Sequence, residues 1–322
     1  MKSASVPPAL LAGAAREGAT AGVRATPRLE EVHVRDVYDR VATQWAGTRY
    51  RAWPEVERFA RESVRRGDAV VEVGCGNGKN LRAVLGAGAT VLASDTSLPL
   101  CEIAAQQAPP GSRSDVAAAD VCDLPYRSGA FDALLCVAVL HHLSTPERRL
   151  RAVQECARVC AVGARLFFQA WAAEQDDGVS GHAFASQDVF VPFHQRTHVP
   201  GFDAAALLPE RADASVGHGV LAEEKRAVVF QRYCHVFARG ELDALVQAVP
   251  GLRVTRSFKD AGNCAFSRRD RARGPSTHAR ACDAGDRDGR REARGGGGAG
   301  ASRGVSVSSG SSSGKRRSRD QC

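Results

Sequence analysis

Apolar residues change their period along the chain, and the changes mark its elements. Between residues 31 and 66, Val32, Val34, Val37, Tyr38, Val41 and Ala42 recur at helical spacing, and Trp53-Pro54 opens a second helix running through Val64. From Ala69 onward, short β-branched runs alternate with helical stretches, which predicts strands over 69–73, 90–94, 115–119, 131–139 and 164–170. Before the last of these, Ser144-Thr145-Pro146-Glu147 has helix-cap chemistry, and Leu150, Val153, Ala157 and Cys160 follow on one helical face. Gly163 then turns the chain into Leu166-Phe167-Phe168. Strands alternating with helices predict an α/β fold with a parallel sheet. Residues 176–226 read as a loop insertion rich in Gly, Ala and Pro. The pattern resumes with Val228–Phe237, a helix over Glu241–Val249 and a strand over Leu252–Phe258.

The two ends carry a different composition. Residues 1–28 contain Glu17 as their single acid among Ala, Gly, Pro and Arg, and read as a disordered or organelle-targeting extension. Residues 267–322 are Arg/Gly/Ser-rich and read as a disordered tail, leaving one domain over 29–266. Arg268–Cys322 holds 14 Lys/Arg against 6 Asp/Glu, a surplus equal to the whole chain's +8, so Met1–Ser267 nets zero. Any nucleic-acid surface on the folded part therefore needs uneven placement of charge. None of the 10 cysteines forms a Cys-x-x-Cys pair, so neither a metal site nor a disulfide framework is expected, and a reducing compartment is. The longest apolar run, Leu134–Leu140, has the length of a buried strand and falls well short of the ~18–20 residues of a membrane span. A soluble protein is expected.

The chemistry concentrates where the first predicted strand ends. Glu72-Val73-Gly74-Cys75-Gly76-Asn77-Gly78-Lys79 places glycines at alternate positions, where backbone can approach a ligand that a Cβ would meet. A dinucleotide fingerprint would need glycine at Lys79. The shorter spacing resembles the S-adenosylmethionine loop of Rossmann-like methyltransferases. Asp95 ends the second strand, either to accept from ribose hydroxyls or, within Asp95-Thr96-Ser97, to cap the next helix; Thr96 is also a candidate cofactor contact. Asp120 and the amide of Val121 follow the third strand, for an adenine or for a plain turn. The fourth strand runs through Val137 into His141-His142, level with a methyl donor.

Further segments narrow the family. Val37-Tyr38, Thr48-Arg49-Tyr50, Trp53-Pro54, Leu124–Gly129, Val139–Leu143 and Glu147-Arg148-Arg149 resemble the eukaryotic tRNA wobble-uridine methyltransferases that esterify 5-carboxymethyluridine, including the methyltransferase domain of the AlkB-type fusion enzymes. So do Ser186–His194 and Arg232–Phe237 before Gly240-Glu241-Leu242, which lie outside the cofactor half. The resemblance spans about Val32 to Asn263, with 196–226 unmatched. It departs at Cys234, Phe193 and Val162. At the end, Gly262-Asn263-Cys264-Ala265-Phe266 gives way to Ser267-Arg268-Arg269-Asp270. Buried consecutive charges are costly, so the last strand is expected to be disrupted.

The resemblance implies a class I fold with a mostly parallel seven-stranded sheet flanked by helices, and S-adenosylmethionine held by Glu72, Gly74, Cys75, Gly76, Asn77, Gly78, Asp95, Thr96, Asp120, Val121 and Val137. It implies methyl transfer to an already ionised carboxylate, for which no general base is needed. With charge logic it nominates Arg49, His141, Arg232 and His235 to hold that anion, although each also has an ordinary structural reading. Implied partners are the tRNA anticodon loop and a small zinc-binding activator subunit pairing along the sheet edge. Cytoplasmic location, with the nucleus also open, goes with them. Arg148-Arg149-Arg151 and Lys225-Arg226 could touch phosphates or form a solvated face. A small-metabolite methyltransferase and a catalytically silent RNA-binding protein are the rivals, the first opposed by the two specific segments and the second by the intact loop and Asp95.

Overall fold

The computed structural model describes residues 3–48, 51–175, 183–196, 219–222, 224 and 226–260, and the backbone alone at Asp260 and 264–271. The chain enters through β1 (Ala4–Ser5) and α1 (Pro8–Ala21), followed by α2 (Arg28–Glu30) and α3 (Asp36–Gly47), joined by a π-turn over Glu31–Arg35. Helix α4 (Pro54–Ser63) starts with proline in its first turn, where a missing amide proton costs nothing. Then come β2 (Ala69–Val73), α5 (Leu81–Gly86), β3 (Thr90–Asp95), α6 (Leu98–Gln107), β4 (Ser114–Ala118) and β5 (Phe131–Val137). Helix α7 (Pro146–Val159) is capped by Thr145, whose side chain accepts from the Arg148 amide at 3.2 Å, and leads into β6 (Cys160–Trp171). The remainder is β7 (Asp188–Arg196), β8 (Val220–Ala222), β9 (Ala227–His235), α8 (Glu241–Gln247), β10 (Leu252–Asp260) and β11 (Cys264–Arg271).

These strands make two sheets, of order β10-β11-β6-β5-β2-β3-β4 and β1-β7-β9-β8. In the first, β4, β3, β2, β5 and β6 pair in parallel. Strands β2 and β5 are buried along nearly their whole length, as central parallel strands covered on both faces must be. One face packs Val153, Cys156, Leu242 and Val246 from α7 and α8. The other packs Val56, Phe59, Leu81, Val84 and Ala104 from α4, α5 and α6. The chain order reverses between β2 and β5, and ligands of open α/β sheets bind at the carboxyl ends of strands at such a switch point.

Three expectations need correction. The last strand is not disrupted: β11 pairs antiparallel with β6 from Cys264↔Trp171 to Asp270↔Arg165, and with β10 on its other side. The ladder is made of main-chain amides and carbonyls, which a charged sequence supplies as well as an apolar one. The segment read as loop contains β7, which pairs with β9 over nine residues from Asp188↔His235 to Arg196↔Ala227. Pro192 obscured it, yet lies beyond Val189 and Phe190, the residues β1 pairs, where a missing amide is tolerated. Finally, residues 4–21 are not disordered: Val6 and Ala14 are buried with Leu29 against Phe190 and Tyr233 of the second sheet. No helix is long and apolar enough to cross a membrane among the described residues.

Candidate active site

The turn after β2 needs its glycines for three reasons. Gly74, Gly76 and Gly78 all have positive φ, at 69°, 54° and 76°. A Cβ on Gly74 would run into the Val139 side chain, and one on Gly78 would stand 3.0 Å from the Cα of Ala104 in α6. A Cβ on Gly76 would meet nothing within 4 Å. Close packing therefore accounts for Gly74 and Gly78, and the open face of the turn is at Gly76, a division that spacing does not reveal. Cys75 is buried with its amide on the Ser94 carbonyl at 2.9 Å, and burial pushes its thiol pKa up. Asn77 Nδ2 reaches the Ala46 carbonyl at 3.3 Å, which holds the end of α3 beside the turn.

Carboxylates ring that crevice. Asp95 Oδ2 accepts from the Gly76 amide and Oδ1 from the Ser97 amide, each at 2.9 Å. Asp95 thus ties the glycine turn to the start of α6, whose N-cap is Ser97 and not Asp95 or Thr96. Glu72 is fully buried, with Oε1 on Asn80 Nδ2 at 2.7 Å and Oε2 without a partner. Burial raises its pKa to about 7. Asp39 of α3 leaves a buried Oδ1 unpartnered and lies near enough to help raise the pKa of Asp95, which burial chiefly sets. S-adenosylmethionine carries a sulfonium, an ammonium and a ribose diol. An acidic crevice with two orphaned acceptor oxygens and an open Gly76 fits that donor.

At the far end of the crevice, Asp120 Oδ1 accepts from the Cys122 amide at 2.7 Å, beside buried Val121. Its Oδ2 pairs with Arg148 Nη2 at 3.0 Å and lies 3.4 Å from Thr26 Oγ1. Strand β5 ends at buried Val137, and Ala138 follows with φ 61°, a strained conformation for a residue with a Cβ.

Close to His141 and His142, three aromatic rings and the Tyr38 hydroxyl surround one guanidinium. Arg232 of β9 is 4% exposed, and its Cζ stands 5.1, 5.5 and 5.9 Å from the ring centroids of Trp45, Phe193 and Trp171. Its Nη1 donates to the Tyr38 hydroxyl at 3.3 Å, while Nε has no partner. His142 Nδ1 donates to the Tyr233 carbonyl at 2.9 Å, so in the neutral ring Nε2 accepts from Tyr38 at 2.9 Å. Burial drives His142 down to about 3, which keeps it neutral. His141 Nδ1 accepts from the Trp171 amide at 3.3 Å, leaving the proton of this neutral ring on Nε2. Both groups therefore present N–H donors.

Other nominated residues fall elsewhere. Arg49 lies outside the described residues. His235 has both nitrogens committed, Nδ1 to Asp188 at 3.0 Å and Nε2 to Glu241 at 2.8 Å, so it clamps β7 to α8 and has no donor left for a substrate. His141, His142 and Cys234 offer ligand atoms within 4.8 Å of one another, but the nitrogens of His142 are already bonded within the protein.

A family model described as Methyltransferase domain matches residues 71–168. The tRNA (carboxymethyluridine(34)-5-O)-methyltransferase of Schizosaccharomyces pombe is 34% identical over 69% of this chain and 90% of its own length. This chain belongs to the tRNA (carboxymethyluridine) methyltransferase family. The Arabidopsis thaliana protein of the same name is 39% identical over 48% of this chain, which spans 36% of it. In fold, the chain is similar to the methyltransferase solved with the Haloferax volcanii Trm112 methyltransferase activator (TM-score 0.51, 14% identity, 76% of this chain and 99% of that one).

Within this family member, Arg148, Arg149 and Arg151 of α7 bond to groups of the protein itself. Arg148 is 1% exposed; it pairs with Glu30 through Nε at 3.0 Å, and its Nη1 donates to the carbonyls of Val23 and Ala25. Arg149 is buried on the Leu143 carbonyl at 2.8 Å, and Arg151 pairs with Glu155. Lys225 lies outside the described residues. Sequence reasoning missed Trp45 and Asp39. The signal for Trp45 was its position two helical turns beyond Tyr38, which puts both on one face of α3.

Proposed function

We propose that this methyltransferase esterifies the carboxylate of 5-carboxymethyluridine at the wobble position of tRNA, in the cytoplasm, with S-adenosylmethionine as donor. One observation carries the reading: the buried guanidinium of Arg232, boxed by three aromatic rings, with an unpartnered Nε beside the neutral Nε2–H of His141. A buried donor without a partner is costly unless a ligand supplies one, and a carboxylate is the natural partner of arginine. When bound, the donor presents a methyl group on a positively charged sulfur. Arg232 and His141 hold the acceptor carboxylate, and Trp45, Trp171 and Phe193 give the base flat surfaces to pack against. The acceptor oxygen forms the new O–C bond with its own electron pair as the C–S bond breaks. No proton moves, and no residue of this chain has to serve as base. The seven cysteines among the described residues are free and buried, which suits a reducing compartment.

The activator belongs to the same reading. Strand β4 has β3 on one side and no strand on the other among the described residues, and Leu98 nearby at the start of α6 is 58% exposed. Strand addition to that edge would cover both. Nucleoside mass spectrometry tests the reaction. Purified protein, with its activator, is given S-adenosylmethionine and tRNA lacking the ester. Methyl-ester uridine should form at the wobble position, and its absence would sink the proposal.

A further inference from the structure

The chain up to Ser267 nets zero charge, so an RNA surface on it has to come from placement, and the structure shows where cations gather. A groove of about 670 Å³ lies between α4 and α5 and reaches Lys79, the residue after the glycine turn. Arg51, Arg61, Lys79 and Arg82 line it against a single carboxylate, Glu57, over a floor that includes Val64. Arg51, Arg61 and Arg82 are exposed and make no ion pair among the described residues, whereas Arg58 of the same helix is paired with Glu55. Lys79 follows Gly78 directly, and its Nζ is held 4.5 Å from the centroid of the Trp53 ring. Three exposed arginines without an ion pair around one cavity repel one another, and an anion in the groove would relieve that repulsion.

We propose that this groove binds the sugar–phosphate backbone of the tRNA, at a place distinct from the aromatic cage that takes the base. The proposal rests on the tRNA reading above for the identity of the polyanion. The volume suits a few nucleotides' worth of backbone. The guanidinium groups supply bidentate phosphate contacts, and Lys79 acts as a point charge. Gly78 ends the glycine turn and Lys79 lines the groove, so RNA held in the groove would lie next to that turn with its target base splayed out of the strand.

The test is tRNA binding by fluorescence anisotropy across a salt series, using the protein with its activator. For Arg61→Ala/Arg82→Ala we expect at least a tenfold loss of tRNA affinity. The slope of log affinity against log salt should shrink by roughly 1 to 2, the share of two phosphate contacts on single-stranded RNA. Arg61→Lys/Arg82→Lys should recover most of both. Calorimetry with S-adenosylmethionine should read unchanged affinity in every variant, which also verifies that each is folded. Unchanged tRNA affinity and salt slope in the alanine variant would overturn the groove while leaving the esterification reading intact. A wild-type protein that binds tRNA with this salt signature yet forms no ester would instead overturn the reaction and keep the groove.

Discussion

Arg148 and Arg232 are both almost wholly buried, and the difference between their surroundings separates structure from function. Every nitrogen of Arg148 has an acceptor: Glu30, Asp120 and the carbonyls of Val23 and Ala25. That region is saturated, and its arginine serves to sew the N-terminal segment to α7 and to the end of β4. Arg232 is surrounded by rings, touches one hydroxyl, and keeps Nε unpartnered. A folded chain tolerates such a deficit where a ligand makes it good. Burial alone, therefore, says little about a charged residue; the inventory of its unmet hydrogen bonds says more.

The contrast can be broken most forcefully at Arg148. Arg148→Met should cost about 3–5 kcal/mol of stability, because Glu30 would stay buried without its counter-charge. Denaturant titration of the apo protein reads it, and a loss below about 1 kcal/mol would mean that the latch is ornamental. Arg232→Met should do the opposite. Methyl transfer to tRNA should fall about a hundredfold, the cost of removing a buried partner for a charge, with the unfolding midpoint nearly unmoved. An equal loss of stability in both variants would erase the distinction drawn here.

Glu72 sharpens the comparison with a pH signature. Its folded pKa of about 7 lies above the ordinary 4.5, because burial outweighs the Asn80 hydrogen bond and Lys79. Between those values the folded protein keeps a proton that the unfolded chain has released, so stability falls as pH rises through the window, by about 2–3 kcal/mol. Glu72→Gln should flatten that fall, read as unfolding free energy at pH 5 against pH 8. A smaller effect belongs to His235, whose pKa is raised by its bonds to Asp188 and Glu241 against the opposing effect of burial. Its clamp is complete below the ordinary value of ~6.5 and is lost as pH climbs through the raised one. His235→Gln should therefore weaken the protein at pH 6 and scarcely at pH 9; equal losses at both would show that the imidazolium contributes nothing.

Legibility followed locality. Strand β2 matches its predicted range, Ala69–Val73, where a continuous apolar run reports burial on both faces, and β3, β4 and β10 are displaced by only one or two residues. The glycine turn and Asp95 lie together, joined by the bond from the Gly76 amide to Asp95, as their places at two strand ends predict. Strand β7 was missed since its partner β9 lies about 40 residues on, and a strand stabilised by distant pairing leaves a weak local trace. The roles of Arg148 and His235 were misjudged for the same reason. Glu30 and Asp188, which occupy them, are 118 and 47 positions away.

By itself the sequence settled the alternation of strands and helices from Ala69 to Trp171, the place of the glycine turn, and the family. Those depend on periodicity and on side chains that a few neighbours constrain. Which buried arginine is saturated and which is left wanting, which glycine faces open space, and where cations converge in a chain of zero local charge were decided by the tertiary structure alone. Hydrogen-bond completion and electrostatic crowding are properties of neighbours in space, and residues far apart in the chain become neighbours only on folding.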